Sequence, residues 1–412
     1  MHRFMRLMAA SALAGCMAGL AGIALSYLLH GVQHLAFGYS TTHILSHESF
    51  LQGVEAAAPM RRFLVLLLCG AIIGGGWWAL YRFATPLVSI KKALSLNDPR
   101  MPVKATGLHI LLQIVTVGMG SPLGREVAPR EAGAMLAGEL AGRFGLSSKE
   151  RQILVACGAG AGLAAVYNVP FAGALFTMEV LLAGFGWRIA AAAIISSVAA
   201  SLIARAGLGN EHQYMVSGVA VTSSLECWSL LFGPLFGIAG WYYSERARRA
   251  RAAAPTDWCL PAGALLNFAL IGILVIWFPQ LPGNGKGAVS LSFDGDIDMH
   301  LAATLLILKV LCTLSSLRTG AQGGLLTPGL ANGALMSILL ATGWNLIWPG
   351  SSTGSYALVG ATAFLAASQQ MPVTAMILVP ELTRISPDFL VPMLLAVGGA
   401  MVAARSLANR ST

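Results

Sequence analysis

The chain of 412 residues is 56% apolar and only 10% charged, with a mean hydropathy of +0.71. Ordinary soluble domains carry about 25% charged residues, and no polar linker divides this chain into such domains, so a polytopic membrane protein is what the composition leaves. The net charge of +9 does not mark a nucleic-acid binder, because its arginines sit between and beyond apolar stretches.

In chain order, apolar segments suited to helices run roughly 7–29, 62–83, 107–118, 130–144, 152–167, 170–186, 188–206, 226–243, 260–278, 301–317, 329–347, 356–368, 371–382 and 388–407. The first contains Leu13-Ala14-Gly15-Cys16 after Arg3 and Arg6, a pattern like a lipoprotein processing site. Met17 through Leu29 extends it to a length that crosses a bilayer, so a retained first helix is expected. His30 and His34, and His43 and His47, have the i,i+4 spacing of helical metal ligands. The first pair has no carboxylate companion, and loop or interfacial histidines are expected. The six cysteines show no CxxC spacing and read as small apolar residues within helices. No metal and no cofactor is expected. Arg246, Arg248, Arg249 and Arg251 form a basic cluster, read as a loop over 244–251, and Arg3, Arg6, Arg405 and Arg410 lie at the ends. Basic segments mark the cytoplasmic side. Both termini and that loop are therefore expected in the cytoplasm of a multi-pass protein of the plasma (inner) membrane.

Several segments are shorter than the roughly 20 residues that a perpendicular crossing needs. Their breaks fall at Gly118–Pro129, Asn168–Pro170, Gly320–Pro328 and Gln369–Pro372. Helices that stop inside a bilayer are tolerated only where their ends face protein or a water-filled cavity. The breaks also repeat. Gly120, Gly124, Gly133 and Ala134 match Gly320, Gly324, Gly333 and Ala334. Likewise Ala161, Leu163, Ala164, Ala165, Pro170 and Glu179 match Ala363, Leu365, Ala366, Ala367, Pro372 and Glu381. An all-α transmembrane domain over 1–412 follows, made of two inverted-topology repeats, 1–215 and 216–412, with broken helices and no soluble regulatory domain. The segments starting near 125 and 326 present free N–H groups and the positive end of a helix dipole. If they converge, they form an anion site with few formal positive charges. Glu126 lies at this place, and a carboxylate inside a membrane is a functional candidate by default. Its bland alternative is an ion pair with Arg125 or Arg130.

These residues resemble the CLC anion channels and transporters. Gly124-Arg125-Glu126-Val127-Ala128-Pro129 is similar to their G-R-E-G-P region, and Tyr167-Asn168-Val169-Pro170 through Glu179 to their F-N-x-P-x-A-G-x-L-F-x-x-E segment. Gly323-Gly324-Leu325-Leu326-Thr327-Pro328 is similar to their G-G-x-F-x-P motif. The resemblance spans about 60–405. Val127-Ala128, Leu326 and Gly283-Asn284-Gly285-Lys286-Gly287 resemble the fluoride-exporting branch, which exchanges fluoride for protons. The chain lacks the family's second glutamate after the F-x-x motif, where Val180 stands, and shows no pore-facing tyrosine in its last helix. The family serine of G-S-G-I-P is not recognisable; spacing places Thr85, or another residue of 85–89, near its position.

By this resemblance Glu126 is gate and proton carrier, its ionised carboxylate competing with the anion and its protonated form swinging aside. The amides of Glu126, Val127, Leu326 and Thr327 ligate the anion. The Thr327 hydroxyl is either a further donor to it or a helix cap. Glu179 and Glu381 are expected to satisfy nearby helix N-termini. The expected function is fluoride export in exchange for protons, with a chloride channel or chloride/proton exchanger of the same fold as the alternative. The partners are fluoride or chloride, protons and the lipid bilayer, in a homodimer. An intramembrane enzyme or metal transporter lacks both a Ser–His pair and a matched acidic cluster.

Overall fold

The computed structural model describes residues 2–39, 49–210 and 212–411; His43 and His47 lie outside them. Among the described residues the chain forms seventeen α-helices. In the first half they are α1 (His2–Phe37), α2 (Phe50–Ala56), α3 (Pro59–Phe83), α4 (Ile90–Leu94), α5 (Val103–Gly118), α6 (Val127–Arg143), α7 (Ser148–Tyr167), α8 (Pro170–Phe176) and α9 (Trp187–Leu208). The second half contributes α10 (Ser223–Ala252), α11 (Cys259–Trp277), α12 (Lys286–Asp294), α13 (Met299–Arg318), α14 (Leu326–Asn345), α15 (Thr353–Gln369), α16 (Pro372–Thr383) and α17 (Leu390–Ser411). Among the described residues, seven helices are long and apolar enough to cross a membrane.

The helix order repeats with an offset of about two hundred residues, and so does the packing. Helix α1 packs along α9 as α10 does along α17, and α6 crosses α7 as α14 crosses α15. Helix α3 lies against its own counterpart, α11. Small residues make these crossings close. A Cβ added at Gly133 would collide with the carbonyl of Gly158, and one at Gly158 with the carbonyl of Gly133. With no hydrophobic force to join helices in lipid, such close backbone approach supplies the packing.

Every break expected from sequence is present. Helix α7 stops at Tyr167 because Asn168 turns left-handed, φ 57°, before Pro170 starts α8; Gln370, φ 54°, does the same between α15 and α16. Both residues tolerate that conformation at a modest cost. The two halves then exchange carboxylates. Glu179 accepts from the amides of Val373 and Thr374 at 3.0 and 2.7 Å, and Glu381 accepts from those of Phe171 and Ala172 at the same distances. Each half therefore caps the broken helix of the other, which is the role expected for this pair.

Three features differ from the sequence expectations. The basic cluster at 244–251 is not a loop but the last turns of α10, where Glu245 pairs with Arg248 and Arg249 at helical spacing and nothing breaks the helix. The apolar segment 170–186 is a short α8 followed by a π-turn at Thr177–Leu181. Three short helices, α2, α4 and α12, were not expected.

Candidate anion-binding site

The approaches to α6 and α14 meet in the middle of the molecule. Gly124 N–H donates to the carbonyl of Gly324 at 2.7 Å, and Gly324 N–H returns the bond to Gly124 at 2.9 Å. This antiparallel bridge joins matched residues of the two halves. It brings the first turns of α6 and α14 to one place. Both helices carry proline as their third residue, Pro129 and Pro328. Proline has no N–H, so the free amides of each first turn are concentrated on the residues just before it.

Glu126 occupies that place. It precedes the first residue of α6, is 1% exposed, and its Oε1 accepts the N–H of Leu326, the first residue of α14, at 2.9 Å. The carboxylate fits because its neighbours are glycines: a Cβ at either Gly124 or Gly324 would collide with it. Oε2 accepts from the Tyr167 hydroxyl at 3.2 Å, and that hydroxyl lies 2.9 Å from Thr327 Oγ1. A phenol has one proton. While Tyr167 donates to Glu126, Thr327 must donate to Tyr167, so the carboxylate heads a short chain of hydroxyls.

The expected site residues Glu126, Val127, Leu326 and Thr327 thus come together. Thr327 is not a cap, because α14 begins without a side-chain cap bond and the Thr327 hydroxyl turns to Tyr167 instead. Thr85 is exposed and does not line the cavity beside this cluster, whereas Leu87, Val88 and Ser89 do. Glu126 forms no ion pair among the described residues. Arg125 instead donates to Gln213 at 3.0 Å with its guanidinium 5.3 Å from the centre of the Tyr167 ring, and Arg130 lies over Phe176 at 4.3 Å. His30 Nδ1 is engaged 2.7 Å from the carbonyl of Ser26, one turn back on its own helix.

Tyr167 was the residue that sequence reasoning passed over. It stands where the resembling motif has phenylalanine, at a repeated break, and that added hydroxyl was the signal.

A cavity of about 570 Å³ runs from Glu126 and Leu326 to the exposed Lys91 and Lys92, with Arg130 and Arg251 on its wall. Arg251 also donates to the carbonyl of Gly323 at 2.9 Å, tying the end of α10 to the approach of α14. Four cationic side chains and two helix N-termini in one low-dielectric passage favour anions and raise their local concentration.

Residues 69–405 match the family described as "Voltage gated chloride channel". The chain belongs to the CLC family. It is 30% identical to a putative chloride channel protein ClcB-like of Ralstonia nicotianae, over 77% of this chain and 78% of that protein. It is 27% identical to the H(+)/Cl(-) exchange transporter ClcA of Cronobacter sakazakii, over 97% of this chain and 86% of that one. Among solved structures, this CLC protein superposes on a slow cyanobacterial Cl-/H+ antiporter with a TM-score of 0.83 at 22% identity, covering 98% of this chain and 95% of the other. On a CLC-type fluoride/proton antiporter the TM-score is 0.69 at 19% identity, covering 97% and 95%.

Proposed function

We propose that this CLC protein exchanges a halide for protons across the plasma (inner) membrane, with Glu126 as gate and proton carrier. The observation that carries this is the Glu126 carboxylate resting on the first N–H of α14, in the seat that convergent helix N-termini would offer an anion. A negative group already fills the seat. An anion entering from the lysine-lined mouth must displace it, and a displaced carboxylate in low dielectric is costly unless it takes up a proton. Anion occupancy and deprotonated Glu126 exclude each other, which couples the two ions without any covalent chemistry. In the anion-bound state the amides of Glu126, Val127, Leu326 and Thr327 and the hydroxyls of Tyr167 and Thr327 are the donors. The chain works as a homodimer of two-repeat subunits, divided near residue 215, with both termini cytoplasmic.

Chloride is the anion of the first reading. The curated relatives are named for chloride, and the overlay is closer on the chloride antiporter than on the fluoride one. Fluoride is the second reading, favoured by the Tyr167 and Thr327 hydroxyl pair, since a small anion gains most from hydroxyl donors. The test is flux from liposomes loaded with either salt, followed with ion electrodes and a pH dye. Chloride exit accompanied by proton entry is expected. Fluoride exit far faster than chloride would reverse the order of the two readings, and anion exit without proton movement would reduce the protein to a channel.

A further inference from the structure

A second carboxylate lines the same cavity. Glu131 lies on α6, five residues beyond Glu126, and is 9% exposed. Five helical residues rise about 7.5 Å along the axis, and both carboxylates line the one cavity, where water can connect them. The group is held from α5. Gln113 of α5 donates to Oε2 at 2.9 Å, and His109 Nε2 stands 3.6 Å from the same oxygen. Behind it, Trp77 of α3 donates its indole N–H to His109 Nδ1 at 2.9 Å. With Nδ1 accepting, the neutral ring carries its proton on Nε2, facing Glu131. Arg130 on α6 and Arg251 on α10 are within electrostatic reach of both Glu126 and Glu131. Meanwhile the position after Glu179, where the resembling exchangers place an inner glutamate, is Val180, and it too faces the cavity.

We propose that Glu131, positioned by Gln113 and His109, relays protons between the cavity mouth and Glu126. A chain of buried carboxylates and histidine within a membrane is what proton relays are made of. The need is also specific to this passage: its other charged walls, Lys91, Lys92, Arg130 and Arg251, repel a hydrated proton, and Glu131 offers it an acceptor. One proton moves from cavity water onto the Glu131 carboxylate, and from the Glu131 acid through bridging water onto the carboxylate of Glu126 as an anion displaces that group. The return journey reverses the steps. Gln113 Oε1 and Thr106 Oγ1, on cavity-lining residues, are buried without a partner among the described residues and can orient that water.

This inference rests on the exchange reading, and one assay separates their failures. Full-length protein in liposomes is given an outward chloride gradient while chloride exit and proton entry are recorded together. Wild type should move both. Glu131→Gln keeps an acceptor for Gln113 but carries no proton, so Glu126 can exchange protons only with the opposite face; chloride exit should persist in uncoupled form while proton entry falls by on the order of a hundredfold. His109→Asn keeps an acceptor for Trp77 and should lower the ratio of protons to chloride by a smaller factor, and Glu131→Asp should restore part of the proton flux. A merely structural role would lower both fluxes together and leave the ratio unchanged. Should Glu131→Gln fail to assemble, Glu131→Met, of similar size and without a titrating group, decides, because an unchanged ratio in that variant overturns the relay. Wild-type coupling retained in Glu131→Gln overturns the relay alone; a wild type that moves no protons overturns the exchange reading and the relay together.

Discussion

The two halves of the molecule share a scaffold and divide the chemistry. Gly124 and Gly324 exchange backbone bonds, and Glu179 and Glu381 cap each other's broken helices with the same pair of distances. At the centre the match ends. Glu126 corresponds to Leu326, Arg130 to Leu330, Glu131 to Ala331 and, with the offset of the second motif pair, Tyr167 to Gln369. The first half supplies both carboxylates and three of the four cations of the passage; the second supplies a bare helix end, one hydroxyl and Arg251. Symmetry builds two facing helix N-termini, and asymmetry sets a single carboxylate between them. Two carboxylates there would repel across a few ångströms of low dielectric.

The largest effect that tests this division is on the asymmetric side. Glu126→Gln removes the titrating group and keeps its shape, so chloride movement should persist while proton entry driven by a chloride gradient disappears. Liposome flux with simultaneous pH recording checks it. On the symmetric side the bridge itself is next. Gly324→Ala and Gly124→Ala force a methyl into the Glu126 carboxylate, and each should cost about 1–3 kcal/mol as overpacking does. Both should also push the carboxylate out of its seat, giving faster but loosely coupled anion exit. A melting curve in detergent and the same flux assay read the two consequences.

Smaller effects sharpen the contrast. Glu179→Gln and Glu381→Gln should each lower stability by about 1–2 kcal/mol, the scale of a lost helix cap and its dipole interaction. Glu179 should matter more, because the Thr374 hydroxyl also donates to it, at 2.6 Å. Neither substitution should alter the proton-to-anion ratio, and a changed ratio would place these carboxylates on the proton path instead. Thr327→Val should have the least effect on stability, about 0.5–1.5 kcal/mol for one neutral hydrogen bond. It frees the Tyr167 hydroxyl from its donor, so anion preference should shift more than melting temperature.

Much of this was legible because it is local or repeated. The helix breaks show as glycine and proline punctuation, and their recurrence two hundred residues later distinguishes a site from ordinary helix packing. Glu126 stood out because a charge in an apolar chain must be accounted for. The reciprocal caps followed from a carboxylate at the same place in both halves. What the sequence concealed is tertiary. Tyr167 reaches Glu126 across 41 positions and Thr327 across 160, and no spacing rule links them. The Glu131, His109 and Trp77 cluster draws on three helices, and each member alone passes for a satisfied core residue. Within 85–89 it is Leu87, Val88 and Ser89 that line the cavity, because spacing fixes a position along the chain and not the direction in which a connecting segment turns. The short helix α4 follows from a local bond, Ser89 accepting the N–H of Lys92, that apolar patterning does not register.

The central claim is that one seat serves the Glu126 carboxylate and the anion in turn. Calorimetry of chloride binding to the purified protein, repeated in buffers of different ionisation enthalpy, measures the protons taken up per anion bound. Wild type should take up protons as chloride binds, and Glu126→Gln should bind chloride with no proton uptake. Chloride binding to wild type with no proton uptake, or equal uptake in the variant, would contradict the shared seat.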